Sequence, residues 1–179
     1  MTKISIFLPY YNDEDFIAQT ISSILNQTYK DFELVLFNHA STDSSREIAH
    51  SFDDTRIRHI DSCINYGAGS GLNFWNNLSS LHGKYIKIFC ADDIMIPTHL
   101  EELIDYMENN PEKDFVISSK AQYIDENGNI LENAFDHFYK HDINNENLRY
   151  KLISLYFQSL SIIPWGGALI KKEALNNIT

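Results

Sequence analysis

Tyr85-Ile86-Lys87-Ile88-Phe89-Cys90-Ala91-Asp92-Asp93 is a hydrophobic run that ends in two adjacent carboxylates, with Pro97 closing the loop behind them. The run reads as a buried strand, and the acids mark its tip. Adjacent carboxylates repel each other unless water or a cation neutralises them, and hard cations such as Mg²⁺ and Mn²⁺ favour carboxylate together with phosphate oxygens. On its own the pair is more simply a solvated turn that caps the helix beginning near Thr98. The chain on either side decides between the two readings.

Upstream, Ile4, Ile6, Phe7 and Leu8 form a short strand, followed by the loop Pro9-Tyr10-Tyr11-Asn12. A helix then carries Phe16, Ile17, Ile21, Ile24 and Leu25 at helical spacing, with Asp13, Glu14 and Asp15 in its first turn. Residues 32–37 are nearly continuous and apolar, as in a central strand buried on both faces. Asn38-His39-Ala40-Ser41-Thr42-Asp43 offers several N-caps before a helix through Ile48 and Ala49. A third strand covers 57–60, and the turn Gly67-Ala68-Gly69-Ser70-Gly71 leads to a helix with Leu72, Trp75, Leu78 and Leu81. Downstream the pattern predicts a helix over 98–109, a strand over 115–118, a hairpin turn at 125–129 and a helix over about 147–160.

This alternation predicts a mostly parallel α/β sheet with helices on both faces and right-handed crossovers. Ligands of such sheets bind outside the carboxyl ends of the strands. The polar stretches 9–13, 38–43 and 92–93 all fall at that edge.

At 179 residues the chain has room for one substantial core. Its formal charge of -11 excludes a general nucleic-acid or anionic-membrane surface, so a phosphorylated ligand needs a metal or backbone amides. Cys63 and Cys90 have no paired spacing, which argues against a disulfide framework or a thiolate zinc site and predicts a reducing compartment. The start lacks a signal-peptide pattern, and no stretch reaches the ~18 apolar residues of a membrane span, so a cytoplasmic protein is expected. Walker A, dinucleotide and nucleophile-elbow motifs are absent, and no basic residues interleave with the aromatics as in a nucleic-acid platform.

Several pieces occur in a recognisable order over about residues 3 to 120. They are Ile4-Ser5-Ile6-Phe7-Leu8-Pro9-Tyr10-Tyr11-Asn12, Ser22-Ser23-Ile24-Leu25-Asn26-Gln27-Thr28-Tyr29-Lys30-Asp31-Phe32-Glu33-Leu34, Ser41-Thr42-Asp43, Asn65-Tyr66-Gly67, Gly83-Lys84-Tyr85-Ile86, Ala91-Asp92-Asp93 and Pro97. Together they resemble the nucleotide-sugar-binding part of family 2 glycosyltransferases, which are inverting enzymes of the GT-A fold. The resemblance implies a GT-A (Rossmann-like) domain over 1–179, incomplete at its C-terminus, with the nucleotide-sugar half at 1–120 and the start of an acceptor-side half at 121–179.

It further implies transfer of a sugar from a nucleoside diphosphate donor, expected to be a UDP-sugar, to a hydroxyl of a saccharide or lipid-linked saccharide acceptor. Surface polysaccharide biosynthesis, peripheral to the inner face of the membrane in the full-length protein, is the implied setting. Asp93 takes the role of ligand to Mn²⁺ or Mg²⁺, and Asp92 contacts the ribose or donor sugar. Pro9 and Tyr11 line the pyrimidine pocket, Asn38 reads the base, and Asn12, Asn65 and Gly67 complete the nucleotide-sugar site.

The chain also departs from the family pattern. Most relatives carry acids at positions 38 and 39 and a glycine at 40, where this chain has Asn38, His39 and Ala40. The Asn38 carbonyl can still accept a pyrimidine N3–H. His39 suits a loop surface and a pocket wall equally. Leu72 replaces an arginine near the base or diphosphate, with the amides of residues 69–71 as a substitute. Cys90 stands where many relatives have a further acid.

In relatives the general base lies downstream of a segment resembling Pro164-Trp165-Gly166-Gly167-Ala168-Leu169-Ile170-Lys171-Lys172-Glu173-Ala174-Leu175, so no catalytic residue is assigned. Glu173 reads as a first-turn helix charge. His137 and His141 have i, i+4 spacing but no third ligand, and Trp165 suits either a sugar platform or a buried position. Two rival readings remain: a degenerate, non-catalytic nucleotide-binding or scaffold module, and a nucleotidyltransferase. The second lacks the glycine-rich basic loop that such enzymes place after the first strand.

Overall fold

The computed structural model describes residues 2–65, 76–117, 122–125, 129–133 and 167–175. In chain order these form β1 (Ile4–Tyr10), α1 (Ile17–Leu25), β2 (Phe32–Asn38), α2 (Ser45–His50), β3 (Ile57–Asp61) and a 3₁₀ turn (Leu78–Ser80). β4 (Tyr85–Ile88), α3 (His99–Asn109), β5 (Phe115–Ile117), β6 (Gln122–Ile124), β7 (Ile130–Asn133), β8 (Ala168–Lys171) and α4 (Lys172–Leu175) follow. Six strands make one sheet in the order β3-β2-β1-β4-β8-β5. β3, β2, β1 and β4 run parallel, whereas β8 is antiparallel to both β4 and β5. β6 and β7 form the separate hairpin anticipated at 125–129, where Asn129 N donates to Asp125 Oδ1 at 2.9 Å.

Alternation along the strands divides the core into two layers. Ile4, Ile6, Leu8 and Tyr10 of β1 pack with Ile17, Ile21 and Ile24 of α1 and with Leu100, Leu103, Ile104 and Met107 of α3. Phe7, Val35, Phe37, Ile86 and Ile88 face the other way, against Leu78, Leu81, Ile170 and Leu175. Each fully buried Ile or Leu contributes roughly 1.5–3 kcal/mol through removal of apolar surface from water. That is what fixes β1 and β2, and with them the position of their carboxyl ends.

Three expectations need correction. Pro9 and Tyr10 belong to β1, in register with Phe37 and Asn38, and are not loop. His39 N donates to Tyr10 O, and Phe89 N donates to Phe7 O, so Pro9 faces β4 just beyond its last paired residue. A proline there forfeits no ladder hydrogen bond.

Asp13, Glu14 and Asp15 precede α1 and do not lie in its first turn, because the turn that starts the helix is closed by Phe16 N and Ile17 N on Asp13 O. β8 has no counterpart in the sequence reading. It inserts antiparallel beside β4 and makes the sheet mixed, though still mostly parallel.

The 67–71 turn, Leu72, Trp75, His137, His141, the 147–160 helix and Trp165 lie outside the described residues. Among the described residues, no helix is long and apolar enough to cross a membrane.

Candidate functional site

The tips of β1 and β2 are tied together by side chains. Asn12 has φ 55°, a left-handed backbone that asparagine tolerates well. Its N–H donates to Ser41 Oγ at 3.2 Å, and its Oδ1 accepts the Thr42 N–H at 2.8 Å. Asp13 N donates to Ser45 Oγ at 2.7 Å, Glu14 N donates to Asp43 Oδ2 at 3.1 Å, and Ser44 N returns a bond to Glu14 Oε2 at 2.9 Å. The polar residues of both loops therefore hold each other, and Asn12 is at the centre of that lattice.

Ala40, in the second loop, has φ 60°. A β-carbon is strained in that region, which accounts for glycine being the better fit. Ala40→Gly is expected to stabilise the protein by about 0.5–1 kcal/mol, because relief of strain exceeds the added unfolded-state entropy. A rise of about 2 °C in melting temperature checks it.

Asn38 ends β2 with its side chain almost fully buried. Its Oδ1 accepts the Ser41 N–H at 2.9 Å, and its Nδ2 donates to Asp61 Oδ1 at 3.1 Å. Flipping the amide would set oxygen against carboxylate, so its orientation is fixed. Asp61 is in turn held by Arg46 at 3.0 Å and lies 3.3 Å from His50. Burial pushes the Asp61 carboxyl up, but the hydrogen bonds from Arg46 and Asn38 outweigh it and hold it below the ordinary range. Tyr10 OH is buried nearby without a hydrogen-bond partner among the described residues, and burial followed by the Asp61 charge pushes it upward. His39 is buried, edge-on to Phe37 at 4.7 Å, and is not at the loop surface.

β4 delivers the acidic tip. Asp92 and Asp93 are exposed, Cys90 is half-buried, and the three offer ligand atoms within 4.8 Å of one another. α1 and the turn that follows it grip this loop. Thr20 Oγ1 donates to Ala91 O at 2.7 Å and to Asp93 O at 2.9 Å, Ser23 Oγ accepts the Met95 N–H at 3.0 Å, and Gln27 Nε2 donates to Ile96 O at 2.7 Å.

Partial desolvation and then the Asp92 charge push the Asp93 carboxyl above the ordinary aspartate range, while Lys87 pulls it back. Asp13 is raised by burial and again by Asp92 and Asp43, so the tips of all three parallel strands lie within electrostatic reach of one another. This donor set fits a hard divalent cation through its two carboxylates. The Cys90 thiol fits less well, since burial and both acids push it up and keep it protonated.

Of the remaining expected residues, Tyr11 is exposed at 43 % beside the β1 tip and Asn65 is exposed beyond β3. Gly67 lies outside the described residues. Glu173 is in the first turn of α4, as its sequence context indicated. Sequence reading missed Asp61 and Arg46, which only strand register brings to Asn38, and it missed Lys87, concealed in an apolar run. Burial pushes the Lys87 ammonium down to about 7, against the pull of Asp93 and Cys90.

A mostly parallel sheet with an acidic strand tip at its carboxyl edge is the GT-A type of α/β fold, and solved structures of that type superpose on the chain. The S. aureus TarS structure covering residues 1–349 matches with a TM-score of 0.73 at 18% identity, over 98% of this chain and 48% of that one. A mannosyltransferase from Pyrobaculum calidifontis, solved with GDP-Man and Mn²⁺, matches with a TM-score of 0.66 at 17% identity, over 98% of this chain and 46% of that one.

The chain belongs to glycosyl transferase family 2, whose family model matches residues 5–179. An uncharacterized glycosyltransferase of Methanocaldococcus jannaschii is 32% identical over 98% of this chain and 58% of its own length. The glycosyltransferase GlyG of Streptococcus pneumoniae is 32% identical over 71% of this chain and 42% of its own length. The chain thus spans 42–58% of the length of these relatives and solved structures.

Proposed function

We propose that this chain is the donor-binding part of a metal-dependent, inverting glycosyltransferase that uses a UDP-sugar. The observation that carries the reading is the pair Asp92 and Asp93, exposed at the β4 tip and electrostatically coupled to Asp13 at the β1 tip. Asp93 holds Mn²⁺ or Mg²⁺, and Asp92 contacts the ribose or donor sugar. Pro9 and Tyr11 line the base pocket, Asn38 presents its carbonyl oxygen to the base, and Asn12, Asn65 and Gly67 border the nucleotide-sugar. Departure of the sugar builds negative charge on the β-phosphate, and a bound divalent cation supplies the Lewis acid that stabilises it. TarS has also been solved with UDP-GlcNAc, with a TM-score of 0.72 to this chain, which supports a UDP-sugar as the donor.

The acceptor is a saccharide or lipid-linked saccharide, in surface polysaccharide assembly. Glu173 sits in the first turn of α4, so no base that deprotonates the acceptor is assigned among the described residues. Calorimetric titration of UDP with and without Mn²⁺ tests the proposal. Metal is expected to tighten UDP binding at least about tenfold, and equal affinity in both titrations defeats the metal-bridge role.

One observation favours the reading of a degenerate, non-catalytic nucleotide-binding or scaffold module: both ends of the Asn38 amide are already engaged within the protein, which leaves its oxygen one lone pair for a base. UDP binding without hydrolysis or transfer of any UDP-sugar by the full-length protein decides for it.

A further inference from the structure

Asn38 and Asp61 are neighbours in register at the carboxyl ends of β2 and β3. Asn38 Nδ2 donates to Asp61 Oδ1 at 3.1 Å, while Asp61 Oδ2 accepts from Arg46 Nη2 at 3.0 Å and lies 3.3 Å from His50 Nε2. His50 in turn stacks on His59 of β3, with ring centroids 3.9 Å apart. The carboxylate is thus held from β2 and from α2, and α2 is braced against β3.

The consequence falls on Asn38. A primary amide is ambivalent, since turning it over exchanges its acceptor for its donors. Here the turn is opposed twice. It would set Oδ1 against the Asp61 carboxylate, and Nδ2 against the Ser41 N–H that now donates to Oδ1 at 2.9 Å. One lone pair of Oδ1 and one N–H of Nδ2 remain for a ligand. An acid at position 38 would bring two carboxylates into contact, so the charge at the β3 tip accounts for the amide at the β2 tip.

The direction of that amide matters to a pyrimidine, because N3 carries a proton in uracil and a lone pair in cytosine. With N3 opposite Oδ1, uracil donates to the oxygen and cytosine is repelled by it. A reversed amide would exchange the two.

We propose that Asp61 is a specificity-determining positioning residue, which holds the Asn38 amide with its oxygen toward the base and so selects a uracil over a cytosine nucleotide. The inference rests on the donor-site reading above, in which Asn38 meets the base. Asp61 itself touches no ligand. It acts through the amide, and Arg46 and His50 keep it from turning away.

The test titrates UDP and CDP, each with Mn²⁺, into wild type, Asp61→Asn and the exchanged pair Asn38→Asp with Asp61→Asn, after melting curves show each to be folded. Wild type is expected to prefer UDP by at least about tenfold. An amide at position 61 can meet Asn38 in either direction, so Asp61→Asn is expected to cut that preference at least about threefold, mainly by tighter binding of CDP. The exchange restores one amide-to-carboxylate bond and puts a pure acceptor at position 38, so the preference should return to the wild-type value or above. A purely structural Asp61 would weaken both nucleotides alike and leave their ratio unchanged.

A ratio in Asp61→Asn within about twofold of wild type overturns the proposal. So does a loss of UDP binding in Asp61→Asn that the exchange does not restore, because Asp61 would then meet the nucleotide itself. If wild type binds UDP without discriminating against CDP, this inference alone fails. If it binds neither nucleotide, the donor-site reading fails and takes the inference with it. Arg46→Gln, which loosens the carboxylate, carries the same direction of change if Asp61→Asn does not fold.

Discussion

Asp93→Ala is expected to remove Mn²⁺-dependent UDP binding, lowering affinity about a hundredfold or more, while leaving the weak metal-free binding of UDP unchanged. Loss of groups that merely support metal ligands costs 10–100-fold, and loss of the ligand itself is at the upper end or beyond. The same position has a second signature that separates a ligand from a structural residue. Partial desolvation and Asp92 raise the Asp93 carboxyl in the folded state, so folding strengthens its hold on a proton. A raised folded value means that the charged group opposes folding at any pH above its unfolded value, and the opposition fades as pH falls toward about 4.

Asp93→Asn is therefore expected to melt at a higher temperature than wild type at pH 7 in metal-free buffer. The gap should close as the pH is lowered to about 4, where wild type is protonated as well. Melting curves across that range, with calorimetry in parallel, check both halves. A variant that loses metal-dependent binding but also loses stability at pH 7 would show Asp93 to be a structural acid.

The parallel half of the sheet was legible because its strands are buried on both faces and so carry unbroken apolar runs, as in the 32–37 stretch. β8 was not, since a four-residue Ala-Leu-Ile-Lys segment carries no period, and its antiparallel place beside β4 is set by contacts far apart in sequence. The acidic tip was legible as the end of a strand, because two carboxylates close an apolar run, and its reading as a candidate metal site needed the polar stretches 9–13 and 38–43 at the same edge. Its roles in nucleotide recognition came from resemblance to a family, not from the residues themselves.

Register concealed the rest. Asn38 meets Asp61 only because β2 and β3 align them as neighbours, and Arg46 reaches the pair from α2. Lys87 is indistinguishable from its apolar neighbours until α3 returns His99 to its amine. Asn12 was read as a nucleotide-sugar contact, and its described hydrogen bonds to Ser41 and Thr42 are a further partnership that the sequence separation hides.

Gly83→Ala is expected to produce the largest loss of stability of any single methyl addition in the described residues. A β-carbon at Gly83 would stand 2.3 Å from Ser5 N, 2.7 Å from Ile4 C and 2.8 Å from Ser5 Oγ. Two of those atoms are backbone of β1, the strand hydrogen-bonded on both sides by β2 and β4, so neither neighbour can yield. Moving the methyl away instead breaks a buried polar knot. Gly83 N donates to Ser5 Oγ at 2.7 Å, Ser5 Oγ donates to Glu33 Oε1 at 2.5 Å, and His82 N donates to the same oxygen at 2.6 Å.

Burial pushes the Glu33 carboxyl up, but these donors outweigh it and hold it below the ordinary range. A lowered folded value contributes stability above the unfolded value of about 4.3, and that contribution is lost as pH falls through the folded one. Overpacking against fixed backbone together with a damaged buried carboxylate costs about 3 kcal/mol or more. For a chain of this size that is a drop of about 10 °C in melting temperature, read by circular dichroism or calorimetry. The fraction that remains folded should bind UDP and Mn²⁺ normally, because Gly83 sits at the amino end of β4, the opposite end of that strand from Asp92 and Asp93. A variant that kept its stability but lost binding would instead tie Gly83 to the donor site.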